Sequence, residues 1–502
     1  MRNIMRTLPV ALSAALATAF VCFGQEDELF RLYSEAREAQ AAGDYKTATQ
    51  KYQRIVTLRP DMAEVHSNLG ILYYQQKKSS EASSHFRKAI DLKPALAAPY
   101  FFLGILAVDD RRHEDAVQYL KRAANLGAPK LKVHLYLGHA YYAQSSYELA
   151  ARHFEKVAER RTDAYLDVLY HLSKSYSHLA NKYFTLLAEK FAESFLVHLA
   201  RAHAFEIEKD WKKARIEYDE ALKQNPGSDR LRQKLAWVAR KEAESSVSPE
   251  DTDSMDEVID GQLRFLYNPP TGDNLAKEFR RRQSRLRELA KQDDQSGKKL
   301  YLLGEGYQVV SYLASLSLFE SGPNSHRAHQ LKGEHYEANG ENDEAIREYR
   351  RALELKPDLS ELHFWIGNLY WKRDRLEEAL PELQEEIALN PNHPEALYEI
   401  GDILFAQGNL EAAEKYFLKS LRAKAAAVET RLALEKIYTN WGQYDKALAQ
   451  LRDAAEVAPE DSTPHYRMWV IYRRLGKTEE ASSAVNTFTK LKAQEDASTK
   501  TE

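Results

Sequence analysis

One pattern returns at a fixed spacing along this chain, and it leaves few folds open. His66, Leu69, Gly70 and Tyr73 are followed by Ala82, Phe86 and then Pro94. One spacing further on, Tyr100, Leu103, Gly104, Ala116 and Leu120 stand at the same positions, and the next brings His134, Leu137, Gly138, Tyr141, Ala150 and Phe154. The second half repeats the pattern with His363, Ile366, Gly367, Tyr370, Ala379 and Pro391, then Leu397, Ile400, Gly401, Ala413 and Phe417. Four ungapped units start at 29, 63, 97 and 131, one at 195, and five at 326, 360, 394, 428 and 462.

Each position has a physical role. Apolar residues at unit positions 4, 7 and 11 share one helical face. A small residue at position 8 lets a partner helix approach, and Ala at position 20 does the same from that partner. Aromatics at 11 and 24 fill the space between them. Pro near position 32 stops the second helix, because it has no N–H for the backbone ladder. The pattern therefore predicts helical hairpins. One hairpin cannot bury its own apolar face, so neighbours must stack into a solenoid. Composition agrees, since only 20 Gly and 16 Pro interrupt 502 residues.

These units resemble the tetratricopeptide repeat, over about 400 residues. The resemblance implies an all-α solenoid of antiparallel helix pairs forming a right-handed superhelix with a concave groove. The Trp common at position 4 is replaced by His66, His134, His198, His329, His363 and His465, which read as packing residues rather than metal ligands. The resemblance also implies that positions 2, 5, 9, 12 and 13 of each first helix line the groove. These place Phe364, Asn368, Trp371, Tyr398, Asp402 and Phe405 there, with Ser67, Tyr74, Phe101, Leu135, His139 and Tyr142 in the N-terminal array. Aromatic anchors beside amides and carboxylates suit an extended peptide or a helix. The carboxylate clamp of some family members needs groove Lys, Asn and Arg; Phe364, Asn368, Tyr398 and Asp402 at the matching positions do not supply it.

A second spacing is superimposed on the first. Tyr170, Ser173, Tyr176, Leu187 and His198 match Tyr301, Gly304, Tyr307, Leu318 and His329 at one constant shift, and the same shift carries Ala214, Tyr218 and Pro226 onto Ala345, Tyr349 and Pro357. Residues 166–228 and 297–359 thus read as copies of one block. Each is a shortened repeat, 166–194 or 297–325, followed by a full one. The expected organisation is a signal peptide at 1–24, an N-terminal array at 25–245, an irregular linker with a charged helix at 246–296, a C-terminal array at 297–495 and a polar tail at 496–502.

Residues 1–24 carry Arg2 and Arg6, an uncharged apolar stretch from Leu8 to Phe23, and then Gly24. This predicts export, to a periplasm, cell envelope or the outside. Membrane association is then expected only through this segment or through partners. Cys22 is the sole cysteine and lacks lipoprotein context, so the remaining chain offers no thiolate chemistry. The net charge of −4, which becomes −6 without Arg2 and Arg6, does not suit nucleic-acid binding.

The search for chemistry finds no catalytic motif, metal site or cofactor site. Asp251 and Asp253 lack the Gly and Glu a calcium loop requires, with Asp256 and Gln262 in their places. Gly304-x-Gly306 lacks a third Gly and a strand. The basic run Arg280–Lys291 reads as a solvated helix face. The expected function is a non-catalytic scaffold whose groove binds a peptide or helical segment of partner proteins, in a bacterial envelope complex. Carbohydrate or cell-wall polymer binding on the same aromatics, or a role as an export accessory protein, is the alternative.

Overall fold

The computed structural model describes residues 25–244, 271–294, 296–359, 361–424 and 427–498. The expected signal peptide and the linker residues 246–270 lie outside them. Every regular element among the described residues is an α-helix. The first eight are α1 (Gln25–Ala41), α2 (Tyr45–Leu58), α3 (Ala63–Gln75), α4 (Ser79–Leu92), α5 (Ala97–Asp109), α6 (His113–Asn125), α7 (Lys130–Ala143) and α8 (Tyr147–Ala158). Then follow α9 (Tyr165–Lys190), α10 (Phe195–Ile207), α11 (Trp211–Gln224), α12 (Asp229–Glu244), α13 (Gly272–Lys291) and α14 (Gly297–Ser321). The last ten are α15 (His326–Ala338), α16 (Asn342–Leu355), α17 (Leu362–Trp371), α18 (Leu376–Leu389), α19 (Pro394–Ala406), α20 (Leu410–Ala423), α21 (Val428–Asn440), α22 (Tyr444–Val457), α23 (Thr463–Arg474) and α24 (Thr478–Ser498).

All ten expected hairpins form, and their dimensions follow from three positions in the repeat. At position 8, a Cβ built on Gly70, Gly138 or Gly333 would lie 2.5 Å from ring carbons of Phe86, Phe154 or Tyr349. On Gly104, Gly367 or Gly401 it would lie 2.7 Å from Leu120, Leu383 or Phe417. The position-24 side chain therefore sits directly on the backbone of the first helix. At position 15 the chain reverses through a left-handed residue, which is Gly43, Gly340, Gly408, Gly442 and Gly476 in five hairpins and Lys77, Arg111, Ser145, Lys209 and Asp374 in the other five. Second helices end two residues before Pro94, Pro226, Pro357 and Pro391, as expected from the clash of a proline ring with a preceding helical residue.

The shortened repeats were expected as hairpins, and the structure corrects this. Residues 165–190 and 297–321 are each one continuous helix, α9 and α14, with no left-handed residue within either. The residues missing relative to the regular unit are those of the reversing turn, and the first helix runs straight into the second. Each half still needs a partner, and the two helices supply each other's. The first half of α9 meets the second half of α14, where the Ser173 and Ser315 hydroxyls lie 2.7 Å apart and Ser311 Oγ donates to the Ser173 carbonyl at 2.8 Å. The second half of α9 meets the first half of α14, where Phe184 covers Gly304 and Phe191 packs on Gly297. The shift that carries Tyr170 onto Tyr301 turns the Ser173–Ser315 contact into Gly304–Phe184. The pair is thus two hairpins that have opened and exchanged halves, and the layout of the two blocks is the same, as their constant shift anticipated.

This exchange moves a boundary. The described residues fall into two compact units divided between Pro323 and Asn324, so 297–321 belongs with the first array rather than opening the second. Helix α13, the expected charged helix, packs onto the exchanged pair. Its Gln283 amide donates to the Tyr176 hydroxyl at 2.8 Å, and Leu286 fills the space over Gly306. Helix α14 also meets α10, where His203 and Glu305 pair at 3.0 Å with both side chains buried. A second buried pair, Lys234 and Glu206 at 3.0 Å, joins α12 to α10, and the Tyr218 hydroxyl donates to the same carboxylate at 2.6 Å. The polar tail is also corrected in part: α24 continues to Ser498, and Glu495 accepts from the Ser462 backbone N–H at 3.0 Å.

Candidate functional site

In the second unit, four of the six expected groove residues come together. The Trp371 indole N–H at the end of α17 donates to Asp402 Oδ2 on α19 at 3.0 Å. The Trp371 ring meets Tyr398 edge-on, with centroids 6.4 Å apart. Tyr398, Asp402 and Phe405 form one wall of a cavity of about 210 Å³, and Glu429, Leu432, Ala433, Lys436 and Arg467 from α21 and α23 complete it. The cavity therefore spans the first helices of three successive hairpins. Burial pushes the Tyr398 phenol up to about 12, and Asp402, Glu429 and Glu399 push in the same direction. Arg467 is engaged by Glu435 at 2.8 Å.

Phe364 and Asn368 do not line it. Both are buried. The Phe364 ring packs at 4.5 Å centroid distance on His393, and the Asn368 amide donates to the Glu399 carboxylate. They join α17 to α19 and the residue before it. Glu399 is itself buried, with Oε2 lacking a hydrogen-bond partner, and burial lifts its carboxyl to about 7. Among the residues missed by the sequence reading, Glu429, Leu432 and Lys436 occupy positions 2, 5 and 9 of the unit starting at 428, so the same rule carried one unit further finds them. Glu399 and Arg467 are at position 6, outside that rule.

In the first unit, Tyr74, Phe101, His139 and Tyr142 belong to one chain of touching rings. Tyr74 meets Phe102 at 5.3 Å, Phe102 meets Phe101 at 5.5 Å, Phe101 meets Tyr136 at 5.8 Å and Tyr136 meets His139 at 6.3 Å. His139 then meets His171 of α9 at 4.6 Å, and His171 meets Tyr142 at 5.3 Å. Phe101 is buried, as is Ser67, whereas Tyr74, Leu135, His139 and Tyr142 are half-buried. Phe102, Tyr136 and His171 were not anticipated.

The position-4 histidines are indeed packed, and five of them have a partner at position 23 that the sequence reading did not find. His66 and His134 face His85 and His153, with Nδ1 atoms 3.0 and 2.9 Å apart. His198, His329 and His363 face Glu217, Glu348 and Glu382 at 2.8, 2.6 and 2.8 Å. The packing that brings position 8 under position 24 also brings position 4 beside position 23, so this ladder could have been read from the repeat. No group of three or more metal-capable side chains occurs among the described residues.

Comparisons with known proteins agree with the repeat. Models of the tetratricopeptide repeat match residues 101–165 and 366–428, 63–96, and 436–461, and a further repeat model of the same kind matches 41–77 and 333–374. No curated protein matches the chain. Solved structures that resemble it include MamA from Desulfovibrio magneticus RS-1, at 19% identity over 34% of this chain and 96% of that one, with a TM-score of 0.31. Pseudomonas aeruginosa pilF is 19% identical over 43% of this chain and 92% of its own, with a TM-score of 0.33. The Cut9–Hcn1 hetero-tetramer of APC/C matches 92% of this chain and 94% of its own at 13% identity, with a TM-score of 0.32.

Proposed function

The chain is a tetratricopeptide-repeat protein, and from that premise we propose that it is a non-catalytic scaffold whose groove binds a peptide or helical segment of partner proteins. The observation that carries this reading is the cavity built by Tyr398, Asp402 and Phe405 with the next two first helices. It presents aromatic surface beside carboxylates along successive repeats, as an extended ligand requires. The N-terminal segment with Arg2, Arg6 and the apolar stretch to Phe23 supports export, and with it a place in a bacterial envelope complex.

Crosslinking in the native envelope, followed by recovery of the chain, tests this. A defined protein partner is expected, and Trp371→Ala or Tyr398→Ala should remove it. Recovery of glycan alone, or an unchanged partner with both variants, would overturn the groove assignment.

A further inference from the structure

The cavity on α19, α21 and α23 carries a charge pattern that says more about its ligand than its family does. Among the described residues, its wall carboxylates Asp402 and Glu429 form no ion pair with a basic side chain, and Asp402 accepts from the Trp371 indole. Asp402, Glu429 and Glu399 lie close enough to the Tyr398 phenol to raise it further, beside the burial that raises it most. Glu399, on the same helix, keeps one carboxylate oxygen buried and without a partner. Of the two cations at the cavity, Arg467 is neutralised by Glu435, which leaves the exposed Lys436 alone against Asp402 and Glu429. Tyr398 and Phe405 supply aromatic faces beside these carboxylates, and aromatic faces attract cations through their quadrupoles.

We propose that this cavity is a subsite for a basic side chain, an arginine or lysine of the bound segment, held between Tyr398 and Phe405 against Asp402 and Glu429. This rests on the groove reading above and adds the chemistry of one residue of the ligand. A guanidinium suits it well, because its flat face stacks on an aromatic ring while its edge donates to carboxylates. A cavity of about 210 Å³ accommodates one such side chain and no folded partner element. The segment must therefore reach it in an extended stretch or from the exposed face of a helix.

The Trp371 indole N–H, which donates to Asp402, is a reporter at the site. Its cross-peak in a proton–nitrogen correlation spectrum of the full chain, assigned with Trp371→Phe, is followed during titration with Nα-acetyl-arginine amide. Saturable movement is expected with this probe, and none with Nα-acetyl-norleucine amide or Nα-acetyl-glutamate amide at equal concentration. Asp402→Asn with Glu429→Gln should weaken the arginine probe by about fivefold or more, the size of one partly screened charge contact. Lys436→Gln should strengthen it. An equal response to the glutamate probe, no response to the arginine probe, or weaker binding in Lys436→Gln would each overturn the subsite. If partner crosslinks still map to Trp371 and Tyr398 in that event, the groove reading stands and only the basic-residue assignment fails. If crosslinks map elsewhere while the arginine probe binds, the groove reading fails and the cation subsite stands.

Discussion

At the scale of single residues, each hairpin turns on one left-handed backbone position and one close approach. Lys77, at φ 59°, holds a conformation that costs an L-residue about 1–2 kcal/mol, while glycine adopts it freely but loses more entropy on folding. Lys77→Gly should therefore raise the unfolding free energy by up to ~1 kcal/mol, measured by denaturant titration; a loss of stability would show that the lysine side chain matters more than its backbone. Gly367 is the opposite case, since a Cβ there already meets Leu383 at 2.7 Å. Gly367→Trp should cost at least ~2 kcal/mol by overfilling the contact, and unchanged thermal unfolding would contradict the register of α17 on α18. Both positions are legible in sequence only as members of the repeat: Gly367 announces itself as a small residue at position 8, whereas Lys77 gives no local hint that it stands where Gly408 stands. The groove divides the same way. Position alone groups Trp371, Tyr398, Asp402 and Phe405, and these four side chains lie together. Phe364 and Asn368 stand at the same positions 5 and 9 as Tyr398 and Asp402, but His393 and Glu399 draw them inward, which position alone does not reveal.

At the scale of helices, the His–His rungs of the position-4 to position-23 ladder make the first unit sensitive to acid. In the first unit, burial pulls His85 down, with His66 adding to it, and burial pulls His153 down to about 4, with His134, Lys156 and Lys121 adding to it. A ring whose folded value lies below its unfolded value near 6.5 stays neutral while the unfolded chain takes up a proton. Stability present above 6.5 is therefore lost as pH falls toward the folded values. His203 runs the other way: burial opposes its charge, but Glu305 outweighs that and raises it, so its contribution is full at low pH and fades as pH rises through the raised value. Five rings of the first unit, His85, His113, His134, His153 and His178, are lowered against His203 raised and Asp109, which burial lifts to about 6, so the unit should melt at a lower temperature at pH 5 than at pH 7. His85→Gln with His153→Gln should reduce that difference. Equal melting at the two pH values, or the same loss in the double variant, would rule the histidine pairs out as its cause. The pairing of α9 with α14 is the element-level feature that sequence could not supply. The apolar pattern of a first or second helix is the same whichever partner it finds, and a shortened unit fits a tighter turn as well as no turn.

At the scale of the whole molecule, the repeats predict a solenoid that can be cut between any two hairpins, because each contacts its neighbours alone. The exchanged pair removes that freedom from the first unit. Residues 25–244 contain α9 but not α14, and so expose Tyr176 and Leu187, both buried in the intact unit. Two such side chains are worth ~3–6 kcal/mol, a large share of a typical total of about 5–15 kcal/mol. Residues 324–502 should fold cooperatively when expressed alone, and residues 25–323 likewise. Residues 25–244 should show helical circular dichroism with rapid hydrogen exchange in α9. Strong protection of α9 in that fragment would refute the view that α14 holds it.

The exchange also sets an order of events during synthesis. Hairpins on either side can close as soon as their own two helices leave the ribosome. Helix α9 ends at Lys190 and must wait for a mate that begins only at Gly297. At about 5–20 residues per second, that wait is on the order of ten seconds, during which the growing chain carries an apolar helix face with no mate. The middle of the chain is therefore where a nascent polypeptide is most open to holding factors, and where a stalled message leaves the most vulnerable product.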